Sequence, residues 1–243
     1  MSSFDPGSKA IMTTQLIKYN ELVMNEGGIQ VQRGMNFGVR GSYSIVLMST
    51  AKNAPYVDQI LDGGVIKYEG HDKERMPLHQ KKTVDQPMAN NSGTLTQNGL
   101  FFQAAENYKE GRREEPAKIK VYRKIRKGIW VDMGFYNLID GFIEHDGNRN
   151  VFKFLLEPIF DDIEPDEMDK VDLVHNRSIP GDVMQEVYVR DDGKCTHPDC
   201  EATDNLHFDH KIPYSKGGSS KTAENIQLLC ARHNLSKHDK LIY

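Results

Sequence analysis

Four residues late in the chain fall into two close pairs, Cys195 with Cys200 in CTHPDC and Cys230 with His233 in CARH. Thiolate and imidazole are the ligands tetrahedral zinc takes, and short-spaced pairs are how structural zinc sites are built. These are three of three cysteines, and none lies in the first 194 residues. An odd number excludes a fully paired intramolecular disulfide set, and clustered thiols in an intracellular chain point to metal. His197 is an alternative ligand within the first pair. Between the pairs runs LHFDHKIPYSKGG, residues 206–218, which sets Asp209 beside His210 and then turns through Pro213 and Gly217-Gly218. One reading is a surface strand end with no role. The other is a site for metal-assisted phosphodiester cleavage.

The surrounding pattern has to position these groups. LHFDH alternates like a strand end, PYSKGGSSKTAEN is a loop, IQLLC returns as a strand, and ARHNLSKHDK starts a short helix. GDVMQEVYVRD, residues 181–191, reads as a helix leading into the first cysteine. The unit 181–243 is too small to rely on apolar burial alone. Zinc can supply roughly 10–16 kcal/mol of folding free energy to such a unit. A hairpin followed by a helix and pinned by metal resembles the HNH endonucleases, the ββα-metal family. The resemblance is carried by Cys195…Cys200, Asp209-His210-x-x-Pro213, Gly217-Gly218, Asn225, Cys230-x-x-His233-Asn234 and Lys237. Two departures are the C-x4-C spacing of the first pair and the His that ends the second. The resemblance implies that His210 is the general base and that Asn225 positions it. It implies that Asp209 and Asn234 offer hard oxygen ligands to Mg²⁺ or Mn²⁺, and that Lys237 contacts phosphate. His207 shares the strand face of Asp209, either supporting the site or serving as a plain strand residue.

Upstream, residues 8–24 carry apolar positions at helical spacing and predict a helix ended by Gly27-Gly28. Beyond residue 31 the texture changes to strands: 44–49, 64–68, 118–125, 134–144 and 150–157 are rich in Val, Ile, Phe and Tyr. A helix is expected over 98–109, and a long polar loop over 82–97. This predicts an α+β chain whose first part is a strongly curved sheet or barrel with flanking helices. The ordered pieces GVRGSYSIVL, GGVIKYEGHD, QNGLFFQAAEN, IKVYRKI and DMGFYNLIDGF resemble the SRA domain, a PUA-like barrel that recognises modified cytosine. There is no literal YDG in the last piece. The resemblance implies that a modified base is extruded into a pocket. Tyr68 would stack on it, Asp72 would accept a hydrogen bond from its exocyclic amine, and His79 is a candidate second stacking group. Basic residues gather at 109–127; Lys120, Arg123 and Arg40 are candidate phosphate contacts, with Arg33 beside them.

The organisation expected is therefore a helical segment at 1–30, an SRA-like domain at 31–157, an acidic connector at 158–180 and an HNH domain at 181–243. The connector bears Asp161, Asp162, Glu164, Asp166, Glu167, Asp169 and Asp172 against Lys170. A formal net charge of −4 does not mark a nucleic-acid binder, but binding responds to the field of one face rather than to the sum. The opening residues contain no apolar signal segment and no run is long enough to span a membrane, which predicts a cytoplasmic, bacterial-type protein. Together the resemblances imply a modification-dependent restriction endonuclease acting on double-stranded DNA that carries 5-methylcytosine or 5-hydroxymethylcytosine. Its ions would be structural Zn²⁺ and catalytic Mg²⁺ or Mn²⁺. A homodimer, with the first helix as one interface, is one way to cut both strands; that helix could equally pack on its own barrel. The competing readings are a homing-type HNH enzyme that reads unmodified DNA, and a reader without hydrolysis. A flexible connector spanning roughly 25 Å predicts cuts spread over about 7 base pairs, or about 20 when stretched.

Overall fold

The computed structural model describes residues 15–31, 34–39, 41–74, 76–159, 179–213 and 216–237. The first part is built on one large sheet. Its strands are β1 (Leu16–Lys18), β2 (Met35–Asn36), β3 (Ser44–Met48), β4 (Gln59–Ile60), β5 (Ile66–Glu69), β6 (Ala117–Arg126), β7 (Ile129–His145) and β8 (Asn150–Pro158). The order is β2-β3-β6-β7-β8-β5-β4, with β1 added on β7. β3 and β6 run parallel; the other neighbours are antiparallel. β7, at 17 residues, is too long to stay flat. Register shifts between Val121 and Tyr122 on β6, and between Leu138 and Asp140 on β7, bend and coil the sheet.

Helix α3 (Gln97–Lys109) closes one face of this sheet. Thr96 caps it by accepting from the Gly99 N–H. Its Phe101 packs on Phe154 and Phe37, and its Phe102 on Phe152. A four-residue helix, α2 (Leu78–Lys81), lies in the long connection before α3. The strands expected from composition and the 98–109 helix are all present within a few residues of their expected ends.

The first element differs from expectation. Residues 16–18 form a strand, and helix α1 covers only Tyr19–Asn25; residues 8–14 lie outside the described residues. Leu16 joins the main apolar cluster, while Ile17 joins a second one with Leu22, Ile45 and Tyr122. Two adjacent side chains buried on opposite sides require strand alternation, which helical periodicity cannot supply. α1 packs on its own sheet through Leu22. Below it, the buried Glu26 carboxylate accepts from the hydroxyls of Tyr122 (2.5 Å) and Tyr43 (2.8 Å).

The last part consists of helix α4 (Gly181–Arg190), strands β9 (Leu206–His210) and β10 (Ile226–Cys230), and helix α5 (Ala231–Lys237). β9 and β10 form an antiparallel hairpin. It does not stand apart from the large sheet. Gln15, next to β1, makes an antiparallel bridge with His207 and accepts the Asp132 N–H from β7. Val183, Met184 and Val187 of α4, with Leu206 and Phe208, belong to the same apolar cluster as Leu16, Ile125 and Val131. The acidic connector residues 161–172 lie outside the described residues. Among the described residues no helix is long and apolar enough to cross a membrane.

Candidate nuclease site and nucleic-acid cleft

The hairpin alternates as its sequence requires: Leu206 and Phe208 face the core, and His207 and Asp209 face the other way. Asp209 sits opposite Gln227 in the register. Gln227 donates to Asp209 Oδ2 at 3.0 Å, and the Lys237 ammonium reaches the same oxygen at 2.6 Å and also the His210 carbonyl. Lys237 is only 1% exposed, so it is not a phosphate contact; the helix carries it inward to anchor the Asp209 carboxylate. His210 Nε2 and the buried Ser220 hydroxyl lie 2.8 Å apart, which fixes the plane of the imidazole. Asn234 lies on α5, one turn before Lys237.

Asn225 closes the loop that follows His210. Its Oδ1 accepts the Ile212 N–H at 2.9 Å, and its Nδ2 donates to the carbonyls of Ser219 (2.9 Å) and Ile212 (3.1 Å). The double glycine fits this closure. Gly217 has φ of +85°, and a Cβ on Gly218 would overlap the Ile212 carbonyl. Asn225 therefore holds the loop backbone that follows His210. His207 belongs to the contact with the large sheet, and burial lowers its pKa.

The ligand atoms of Cys195, Cys200, Cys230 and His233 all lie within 4.8 Å of one another. The Cys195 and Cys230 sulfurs are each 3.4 Å from His233 Nδ1. Tetrahedral zinc with bonds of about 2.3 Å sets its ligand atoms roughly 3.8 Å apart, so the group fits a metal of that kind. Desolvation first, then His197 and Arg232, hold His233 below its ordinary pKa; neutral imidazole is the ligating form. His197 is not in the group. Its ring stacks on His233 at 3.7 Å between centroids and 10° between planes.

The expected base-pocket residues are placed differently from expectation. Tyr68 is a core residue, paired with Phe154 across the sheet, and only its hydroxyl reaches out, to His71 Nε2 at 3.2 Å. Asp72 borders a cavity of about 620 Å³ between residues 71–74 and 87–98, but its carboxylate is buried in an ion pair with Arg149 at 2.5 Å, with Lys82 at 3.3 Å. His79 is exposed on α2 and lines neither cavity. Neither Tyr68 nor Asp72 offers a free face to a base, because each side chain is occupied by the interior.

A larger cleft of about 770 Å³ lies on the other side of His71. Tyr56 and Asp58 form its wall with His71 and Trp130; Lys124, Arg126 and Lys127 supply positive charge; Gln185 of α4 contributes from the nuclease side. Tyr56 stacks parallel on His71 at 4.8 Å, with the Lys82 ammonium over its ring at 4.6 Å. Asp58 accepts the N–H groups of Ser49 and Glu69, each at 3.0 Å. Burial outweighs these bonds and pushes its carboxyl up to about 6. Sequence reasoning missed Tyr56, Asp58, Ser220 and Gln227. An aromatic-x-acid pair in the polar, turn-forming stretch AKNAPYVDQ was the available signal for the first two.

The expected phosphate contacts divide in the same way. Arg123 is 2% exposed and belongs to the interior. Lys120 pairs with Asp132 at 2.8 Å and lies over the Phe135 ring. On the same strand Lys124 and Arg126 are exposed at the cleft. Arg40 and Arg33 lie outside the described residues.

Residues 193–240 match the profile of the HNH endonuclease family. This segment of the chain is an HNH domain, and with it the chain carries a metal-dependent nuclease. No curated protein matches the chain. Among solved structures, the SRA domain of SUVH5 in complex with hemimethylated CG DNA is 21% identical, over 68% of this chain and 97% of that one, with a TM-score of 0.42. The same domain bound to fully hydroxymethylated CG DNA is 19% identical, over 61% and 89%, with a TM-score of 0.41. The phosphorothioation-dependent restriction endonuclease ScoMcrA is 15% identical, over 96% of this chain and 56% of its own, with a TM-score of 0.40.

Proposed function

We propose that the chain is a modification-dependent DNA endonuclease that draws a modified cytosine into the Tyr56–Asp58 cleft and hydrolyses a nearby phosphodiester at the HNH site. The observation that carries this reading is the cleft itself: a half-buried acid beside an aromatic wall, rimmed by Lys124, Arg126 and Lys127, opening next to a nuclease domain. Ionised Asp58 accepts a hydrogen bond from the exocyclic amine of cytosine, which thymine lacks. Tyr56, stacked on His71 and covered by Lys82, forms the aromatic wall, and the three basic side chains hold the backbone on either side of the extruded nucleotide.

At the cutting site His210, held by Ser220, takes the proton of the attacking water. Gln227 and Lys237 pin Asp209 through Oδ2 and leave Oδ1 for a cation that Asn234 would help to hold. A divalent cation such as Mg²⁺ or Mn²⁺ bound there would stabilise charge on the departing 3′ oxygen. Cys195, Cys200, Cys230 and His233 would hold structural zinc.

The test uses matched duplexes whose only difference is cytosine, 5-methylcytosine or 5-hydroxymethylcytosine at one position. Selective cutting of a modified duplex is expected, with its ion dependence read in the same assay. Equal cutting of all three would favour a homing-type enzyme. Selective binding without cutting under Mg²⁺ or Mn²⁺ would favour a non-catalytic reader.

A further inference from the structure

We infer that Arg123 pins the start of the nuclease domain to the large sheet, so that packing, and not the length of the connecting chain, sets the distance from the modified base to the cut. The inference rests on the proposed function for its readout and on the seam between the two parts for its argument. Arg123 lies on β6 with its guanidinium buried between them. Nη1 donates to the Ile179 carbonyl at 3.2 Å, two residues before α4, and Nη2 donates to Thr50 Oγ1 at 2.8 Å. Thr50 directly follows Ser49, whose N–H binds Asp58 in the cleft. One side chain thus bonds both the wall of the cleft and the entrance to the nuclease domain.

The chemistry of this placement is costly. Among the described residues no carboxylate forms an ion pair with Arg123, and its Nε has no hydrogen-bond partner. Burial lowers its pKa to about 10. A methionine or leucine would fill such a seam at lower cost, because Asp182 favours the charge without an ion-pair contact and does not offset burial. What the guanidinium adds is direction: two donors in a rigid fork hold two backbone segments at a set angle, which a lysine cannot do. The helix start is shaped to it. Gly181 abuts Nη2, and a Cβ there would overlap the guanidinium.

Contacts on either side keep the seam from pivoting. The Arg126 guanidinium lies 5.5 Å from the centre of the Tyr188 ring on α4. At another point Gln15 bridges His207, and its Nε2 reaches Asn205 Oδ1 at 3.5 Å. Hydrophobic contact runs continuously from Ile125 and Val131 to Val183 and Phe208. This arrangement replaces the spread of cut distances that a free tether predicts with a single offset.

The experiment maps cuts at nucleotide resolution on a duplex carrying one modified cytosine. Wild type is expected to cut at a narrow set of adjacent phosphodiesters, and a Gly-Ser insertion between residues 165 and 170 should leave that position unchanged. Arg123→Met should scatter the cuts while retaining preference for modified DNA. Thr50→Val, which keeps side-chain shape, should do so more weakly and serves if Arg123→Met does not fold. A wild-type ladder that lengthens with the insertion overturns the inference. A second readout does not depend on activity. With a specific protease site placed in the same segment, the two halves should co-elute after cleavage in wild type and separate at lower salt in Arg123→Met. Wild-type halves that separate at once overturn the inference even if no DNA is cut, whereas co-elution without cutting leaves it standing and removes the proposed function.

Discussion

Two aspartates divide this molecule. Asp209, at the HNH site, is held by an ammonium and an amide on one oxygen. Asp58, in the cleft, accepts two backbone N–H groups and is driven by burial toward its neutral form. The same side chain meets different surroundings: one carboxylate is paired with an ammonium and an amide, whereas the other is desolvated and bonded to backbone N–H groups. The supporting structures differ too. The large sheet is stabilised by apolar packing under α3, whereas the hairpin shares that apolar cluster and adds four side chains that could hold one metal ion.

The largest effect that would sharpen this contrast is metal removal. A strong chelator, or Cys230→Ser, should unfold β9, β10 and α5 with a loss on the order of 10 kcal/mol of local stability. The large sheet should keep its amide protection, as hydrogen exchange would show. Simultaneous loss of both regions would mean that the zinc group supports the whole core. Next in size, His210→Ala should reduce cutting by roughly 10²–10⁴-fold with DNA affinity unchanged in a gel-shift assay. A parallel fall in affinity would place the imidazole in binding rather than catalysis.

Asp58→Ala should weaken binding of the modified duplex by about tenfold, while cutting of bound DNA proceeds at the wild-type single-turnover rate. Asp58 also gives the cleft a pH signature. Its carboxyl titrates near 6 in the fold against about 4 unfolded. The native state therefore binds a proton across that window that the unfolded chain releases, so stability falls as pH rises through it, by roughly 2–3 kcal/mol, and is level above it. Base affinity should move the other way, rising through pH 6 as the carboxylate ionises. Denaturant melts and binding isotherms on one pH series would read both slopes, and slopes of equal sign would exclude Asp58 as the acceptor. The smallest effect is expected for Ser220→Ala, about threefold to tenfold in cutting rate, with a shift in the lower limb of its pH profile that a purely structural role would not cause.

Much of the nuclease half was legible in the chain because its parts are close in sequence. Cys195, Cys200, Cys230 and His233, the Asp209-His210 pair and the glycine turn lie in a single hairpin or in the short segments flanking it, so spacing alone brings them together. The cleft was not legible in this way. GGVIKYEGHD drew attention to Tyr68 and Asp72, yet Phe154 and Arg149, distant in sequence, occupy both. Asp58 gained its character from desolvation where Ser49, just past β3, and Glu69 of β5 close around it. For the same reason Lys237 and Arg123 looked like surface cations. Each proved to be interior once the opposing element was in place.

The order of residues alone therefore determined the Cys-His quartet, the acid-histidine pair and the alternation that makes the hairpin, since ligand chemistry and strand periodicity act over a few neighbours. Which acid is buried, which arginine is an anchor and how the reading and cutting parts face each other were decided only by tertiary structure. Desolvation and pairing depend on what packs against a group, and that partner comes from a distant part of the chain.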